Sequence, residues 1–185
     1  MEEDLGAVRA RLSTVPWVAR LLSAPNQTTQ VLPSRILRTD GQDLFFSKTL
    51  RGQDTISAFL MVHEEPASPR ELLRELKGVF HVGRDLNGFT DILHGGAVMC
   101  IMDELMGSLT VANIERGALP VAQYLTAYLK TTFKEPIKTP GTYLGVARLN
   151  RVEGRKFYLS QSIEDGEGKV LATAEAMWVK AREKL

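Results

Sequence analysis

Two carboxylates interrupt an apolar run. In the stretch LHGGAVMCIMDELMG, Asp103 and Glu104 sit inside a segment otherwise suited to burial. A carboxylate at the margin of an apolar helix face loses hydration, which raises its pKa and makes it a stronger base. His94-Gly95-Gly96 stands just before the run, so two residues without side chains occupy the start of the expected helix. Backbone N–H groups there have no partner inside the helix, and the positive end of the helix dipole reinforces them. With no Cβ in the way, a ligand oxygen can come close. Amides so placed form an oxyanion hole. From spacing alone, plainer readings stand beside these: the acids as a solvated helix flank, and the glycines as a tight turn.

The elements that must hold these residues can be read from periodicity. Apolar residues at 97, 98, 101, 102, 105, 106 and 109 give a broad helical face over about 96–113, with Asp103 at its edge and Glu104 one step further round. Leu5, Val8, Leu12, Val15, Ala19 and Leu22 also have helical spacing, and Pro16 predicts two short helices or a kink there. Residues 25–42 are rich in Pro, Asn, Gln, Thr and Ser and read as a loop. Strand-like runs follow at 44–50 and 55–63, separated by a turn at 51–54. SPRELLRELKG carries helix signals: Ser68 as cap, Pro69 at the first helical position, Glu71 completing a capping box and Gly78 as stop. Residues 79–83 read as a short strand and RDLNGFTDIL as a loop. Strand-like runs at 121–133, 142–152, 156–164 and 169–180 fill the rest, and short loops join the last three into an antiparallel meander. A helix this apolar needs cover on most sides, so the expected class is α+β, a curved antiparallel sheet wrapped around one long helix. The expected division is a helical extension and loop over 1–42 and the main domain over 43–185.

Composition narrows the function classes. The charge is nearly balanced, +1 from 23 basic and 22 acidic residues, which argues against nucleic acid as a partner. The single cysteine, Cys100, excludes an intrachain disulfide and suits a reducing compartment. Three acidic residues precede any basic one at the N-terminus, unlike a secretory signal or a mitochondrial presequence, so the expected location is cytoplasmic. No stretch is expected to span a membrane. His63, His81 and His94 are scattered and no Cys/His pair has ligand spacing, so no metal or other cofactor is expected. Cys100 lies within the apolar run and reads as core packing, not as a nucleophile.

LHGGAVMCIMDELMG resembles the signature of hotdog-fold thioesterases, in particular the PaaI-like group that includes the thioesterase superfamily members. In that group an HGG turn opens the central helix and an acid follows nine positions after the histidine, as His94 and Asp103 do here. VAQYLTAYLKTTFKEPI resembles the next strand, with Phe133-Lys134-Glu135-Pro136 as its ending, and GRKFYLSQSIEDGEGKVLATAEAMWV resembles the final hairpin. The resemblance covers roughly residues 44–182.

It implies a homodimer, or a dimer of dimers, with composite sites that take the HGG turn from one subunit and the acid from the other. The Gly95 N–H is expected to polarise a thioester carbonyl, with Gly96 beside it, and Asp103 to act as general base or nucleophile. Thr126 is expected to hold the water or the acid, Asn87 to lie near the thioester, and His94 to orient the turn. In the basic cluster Arg148, Arg151, Arg155 and Lys156, the last two are the first candidates for coenzyme A phosphates. The expected activity is hydrolysis of acyl-CoA or of an acyl group on a carrier protein, in lipid turnover or a specialised biosynthetic pathway such as polyketide metabolism. The alternative is a non-catalytic acyl-thioester-binding hotdog protein. A hotdog dehydratase would need a D-x-N-x-x-H pattern, which the sequence lacks.

Overall fold

The long helix forms where apolar spacing and end chemistry agree. In the computed structural model, which describes residues 4–68 and 70–182, helix α3 spans Gly95–Glu115. His94 is its N-cap, with an extended backbone and a side chain that accepts from the Gly96 N–H at 2.9 Å. Gly117 follows the far end at φ +71°, a left-handed conformation that suits a residue without Cβ. By length and composition α3 is long and apolar enough to cross a membrane, against the expectation that no stretch is. The protein fold itself uses that apolarity, because Val98, Ile101, Met102, Leu105, Met106 and Leu109 are all buried against strands.

Those strands form one seven-stranded antiparallel sheet: β1 (Gln27–Val31), β2 (Ile56–Glu64), β3 (Glu75–Val82), β6 (Tyr124–Phe133), β7 (Gly141–Glu153), β8 (Lys156–Glu164) and β9 (Val170–Lys180). Their order is β1-β2-β3-β7-β8-β9-β6. Helix α3 packs against β3, β6, β7 and β8. The 3.6-residue and 2-residue periods mesh at small residues: a Cβ at Gly78 or Gly145 would lie within 2.8 Å of the Leu105 side chain. The N-terminal segment makes the expected pair of helices, α1 (Leu5–Leu12) and α2 (Pro16–Leu22), with Pro16 opening the second. Their Val8, Leu12, Val18 and Leu22 pack on Ala58, Leu60, Val62 and Val79, the face of β2 and β3 turned away from α3. Strand β2 is covered on both faces, so it reads as a continuous apolar run.

Four local expectations are corrected. Residues 27–31 are not loop but strand β1, paired with β2 from Gln27↔Glu64 to Val31↔Leu60. A polar edge strand has a loop-like composition, and edges favour such residues. The run at 44–50 is not a strand. It makes one wide turn, Phe45–Thr49, closed by a bond from the Leu50 N–H to the Phe45 C=O at 2.8 Å. The edge of β2 that it would have joined is already taken by β1.

The helix read in SPRELLRELKG does not form. Ser68 and Glu71 make one turn (Glu71 N–H to Ser68 C=O, 3.0 Å), the chain then extends into β3, and Pro69 lies outside the described residues. The buried Asn113 amide bonds both the N–H (2.8 Å) and the C=O (3.0 Å) of Leu73, and β2 and β7 supply ladders on either side of β3. Tertiary partners outweigh local propensity there. Finally, the loop at 84–93 contains a 3-10 turn and a small hairpin, β4 (Asn87–Phe89) and β5 (Ile92–Leu93), that leads into the His94 cap.

Candidate active site

Helix α3 carries the two chemical elements at separate points. At its start, the His94 Nδ1 is an acceptor, so in this arrangement the ring proton sits on Nε2 and the imidazole works as a cap. The Gly96 N–H is used by that bond. The Gly95 N–H, at the first helical position, has no acceptor within the helix. The Phe133 ring lies close enough that a Cβ on Gly95 would sit 3.3 Å from it. Gly95, His94, Val98 and Phe133 line a cavity of about 600 Å³ that also includes Phe89, Lys134 and Ile137.

Two turns and more along the helix, Asp103 faces β6. The Thr126 hydroxyl donates to its Oδ1 at 2.9 Å. Burial pushes the Asp103 pKa up, and the Thr126 bond moderates the rise. Glu104 is buried more deeply, its pKa pushed up to about 7 by burial and by the charges of Asp43 and Asp103, while Ser34 and Arg35 act the other way. Both acids line a cavity of about 350 Å³ bounded by residues 33–43 and Trp178. Asp103 and Thr126, called from the sequence as partners, thus touch. The depth at which Glu104 is held came from residues 33–43, which composition marked only as loop.

The remaining candidates are more dispersed. Asn87 lines a third cavity, about 400 Å³, with His94, Gly96, Ala97 and Cys100. Its side-chain oxygen accepts from the Thr139 hydroxyl, a partner that sequence reasoning missed because Thr139 lies 52 residues away. Cys100 is half-buried against the core, and burial raises its thiol pKa, so it resembles a packing residue more than an activated nucleophile. Of the basic cluster, Arg148 pairs with Glu75 at 2.9 Å, and Arg151 pairs with Glu153 at 3.2 Å and stacks on Tyr158. The Arg155 guanidinium donates to the Lys180 C=O at 2.9 Å, and Lys156 is exposed beside it. Both stand at the Thr126 end of the sheet, since Lys156 pairs with Val179 and Val179 with Leu125.

Spacing within one chain sets a limit. Gly95 and Asp103 are eight residues apart on a continuous helix, about 12 Å along its axis. An amide donor and a carboxylate base must both come within about 3 Å of one reacting centre. One copy therefore cannot bring both to the same carbonyl. Strand β6 runs past both elements, with Thr126 at the acid and Phe133 at the amide, and it is a sheet edge. Leu125, Tyr128 and Phe133 on it are 59%, 46% and 53% exposed. A long apolar edge of this kind is a template for pairing.

A long helix wrapped by an antiparallel sheet, with an HGG turn at the helix start, defines the hotdog class. The phenylacetic acid degradation-related protein of Ralstonia eutropha JMP134 shares this architecture, with a TM-score of 0.55 at 20% identity over 73% of this chain and 98% of that one. Residues 90–172 match the thioesterase superfamily. That match spans just under half of the chain, and the fold is the hotdog fold. Among curated relatives, it is 26% identical to verlamelin biosynthesis protein B of Lecanicillium sp. over 80% of this chain and 78% of that protein. It is 30% identical to the acyl-coenzyme A thioesterase THEM4 of Mus musculus over 55% of this chain, but the match spans only 41% of THEM4.

Proposed function

We propose that the protein hydrolyses acyl thioesters, acyl-CoA foremost, in sites shared between two copies of the chain. The observation that carries this reading is the pair of elements on α3: a first-turn amide with no acceptor inside the helix and, about 12 Å on, a carboxylate tied to a hydroxyl. Self-pairing of the edge strand β6 in antiparallel fashion is isologous, so each end of one copy meets the other end of its partner. A two-fold axis between Leu129 and Lys130, midway between Thr126 and Phe133, lays the Asp103–Thr126 pair of one copy beside the Gly95 turn of the other.

In that site the Gly95 N–H donates to the thioester carbonyl oxygen and stabilises the oxyanion that forms there. The Thr126 hydroxyl engages one oxygen of Asp103, leaving the other to take a proton from the attacking water. Burial makes that carboxylate more basic than an exposed aspartate. The tetrahedral intermediate collapses with loss of the thiolate, and the released proton returns to it. His94 holds the turn, its Nδ1 accepting from the Gly96 N–H. Lys134 at the rim of the larger cavity offers a cation to the phosphates of coenzyme A.

Mixing two damaged proteins tests the shared site. Asp103→Asn removes the base and Gly95→Pro removes the amide hydrogen, so each homodimer has no intact site. After co-refolding in equal amounts, half of the dimers are mixed and each of these has one intact site, giving about a quarter of wild-type thiol release. No recovery on mixing, with heterodimers verified by native mass spectrometry, would refute the shared arrangement.

A further inference from the structure

The turn that opens α3 is the shared wall of two cavities. His94 and Gly95 line the larger, about 600 Å³, on the Phe133 side. His94 and Gly96 line the smaller, about 400 Å³, on the helix face that carries Ala97 and Cys100. A thioester whose carbonyl rests on the Gly95 N–H has two arms, the acyl chain and the pantetheine of the thiol. The two cavities flank that point.

Charge separates the arms. Lys134 lines the larger cavity, and the acid beside it, Glu135, is already paired with Lys169 at 3.0 Å. The charge left over is positive, which suits the phosphates of coenzyme A. No lysine or arginine lines the smaller cavity, and an acid, Asp85, stands exposed at its rim. Its depth is apolar: Leu50 and Ile56 are buried, and Leu86, Ala97 and Cys100 pack against the same core. Across from α3 stands the wide turn Phe45–Thr49, outside the 90–172 segment that matches the thioesterase superfamily. Buried Phe46 anchors that turn, and Phe45 meets it edge-on with ring centroids 5.5 Å apart, which holds the half-exposed Phe45 ring at the rim.

We infer that this smaller cavity receives the acyl chain and selects neutral aliphatic chains over chains that end in a carboxylate, with Ala97 and Cys100 setting how much chain it holds. The inference rests on the thioesterase reading above. Each methylene moved from water into such a recess favours binding about fourfold. A terminal carboxylate would enter apolar surroundings with no cation to meet it and Asp85 to repel it at the rim.

The test is thiol release from acetyl-, butyryl-, hexanoyl-, octanoyl- and decanoyl-CoA, and from adipoyl-CoA, the six-carbon chain with a carboxylate at its far end. In wild type, kcat/KM is expected to rise about tenfold per two carbons from acetyl to hexanoyl, and to be about a hundredfold or more lower for adipoyl than for hexanoyl. Ala97→Phe fills the cavity from α3 and should cut kcat/KM for octanoyl-CoA about tenfold more than for acetyl-CoA. Cys100→Leu, a smaller intrusion from the same helix face, repeats the test if Ala97→Phe alters Tm or oligomeric state. Ile92→Phe, in the larger cavity, should lower all chain lengths by a similar factor. The inference is overturned by a flat chain-length profile from an active wild type, or by adipoyl-CoA within about threefold of hexanoyl-CoA. It is also overturned if Ile92→Phe, and not the α3 variants, shortens the profile, or if none of the variants does. Each of these outcomes leaves the thioesterase reading standing. Absence of turnover on every ester removes both.

Discussion

Proline at position 95 removes the amide hydrogen and puts a ring carbon in its place. Gly95 is the first residue of α3, where proline is well tolerated because that N–H has no helical partner. The residue before a proline must be extended, and His94 already is, at φ −61° and ψ 134°. The cost is the added Cβ, which would lie 3.3 Å from the Phe133 ring. Gly95→Ala carries the same Cβ and keeps the N–H, so the ratio of the two variants reports loss of the hydrogen together with the ring carbons that take its place. Loss of one oxyanion donor lowers kcat by about 10²–10³, or about 3–4 kcal/mol of transition-state stabilisation. The assay is thiol release from saturating acyl-CoA for wild type, the alanine variant and the proline variant, with Tm and oligomeric state measured in parallel. The expected result is a kcat for the proline variant at least a hundredfold below that of the alanine variant, with little change in Tm. Equal activity of the two, within about threefold, would show that the Gly95 amide does not stabilise charge in the reaction.

Two further expectations concern stability. Glu104 has a folded-state pKa of about 7 against 4.5 when unfolded, so the folded state holds the extra proton between those values. Its contribution is fully present below the unfolded value and falls by about 3 kcal/mol as pH rises through the folded one. Glu104→Gln removes that slope, so urea midpoints of variant and wild type should separate in the variant's favour from pH 5 to 8, and parallel curves would contradict the burial argument. Asn113→Ala leaves the N–H and C=O of Leu73 without their partner in a buried setting, and should lower stability by about 3 kcal/mol in urea unfolding. A loss below about 1 kcal/mol would mean that solvent reaches the Leu73 backbone.

The legible parts of this protein are those set by local periodicity. The long helix, the two N-terminal helices broken at Pro16, and the strands from 124 onward have side chains whose spacing matches the element they form. The His94-to-Asp103 interval is legible for the same reason, because both residues lie on one continuous helix. Elements whose state depends on distant partners were not legible. SPRELLRELKG has helical chemistry, yet Asn113 and two neighbouring strands pull it into the sheet. The polar run at 27–31 becomes a strand only because an edge of β2 lies beside it.

The candidate site divides along the same line. The sequence by itself determined the chemical types: an amide with no side chain in its way, an acid at a helix margin, and a threonine on the following strand. Only the tertiary structure decided that the Thr126 hydroxyl meets Asp103, that Asn87 is tied to Thr139, and that residues 33–43 press Glu104 into a cavity beside Asp103. Periodicity fixes which residues share a face of one element. Contacts between elements depend on how the whole chain buries its apolar faces, which no short window of sequence contains.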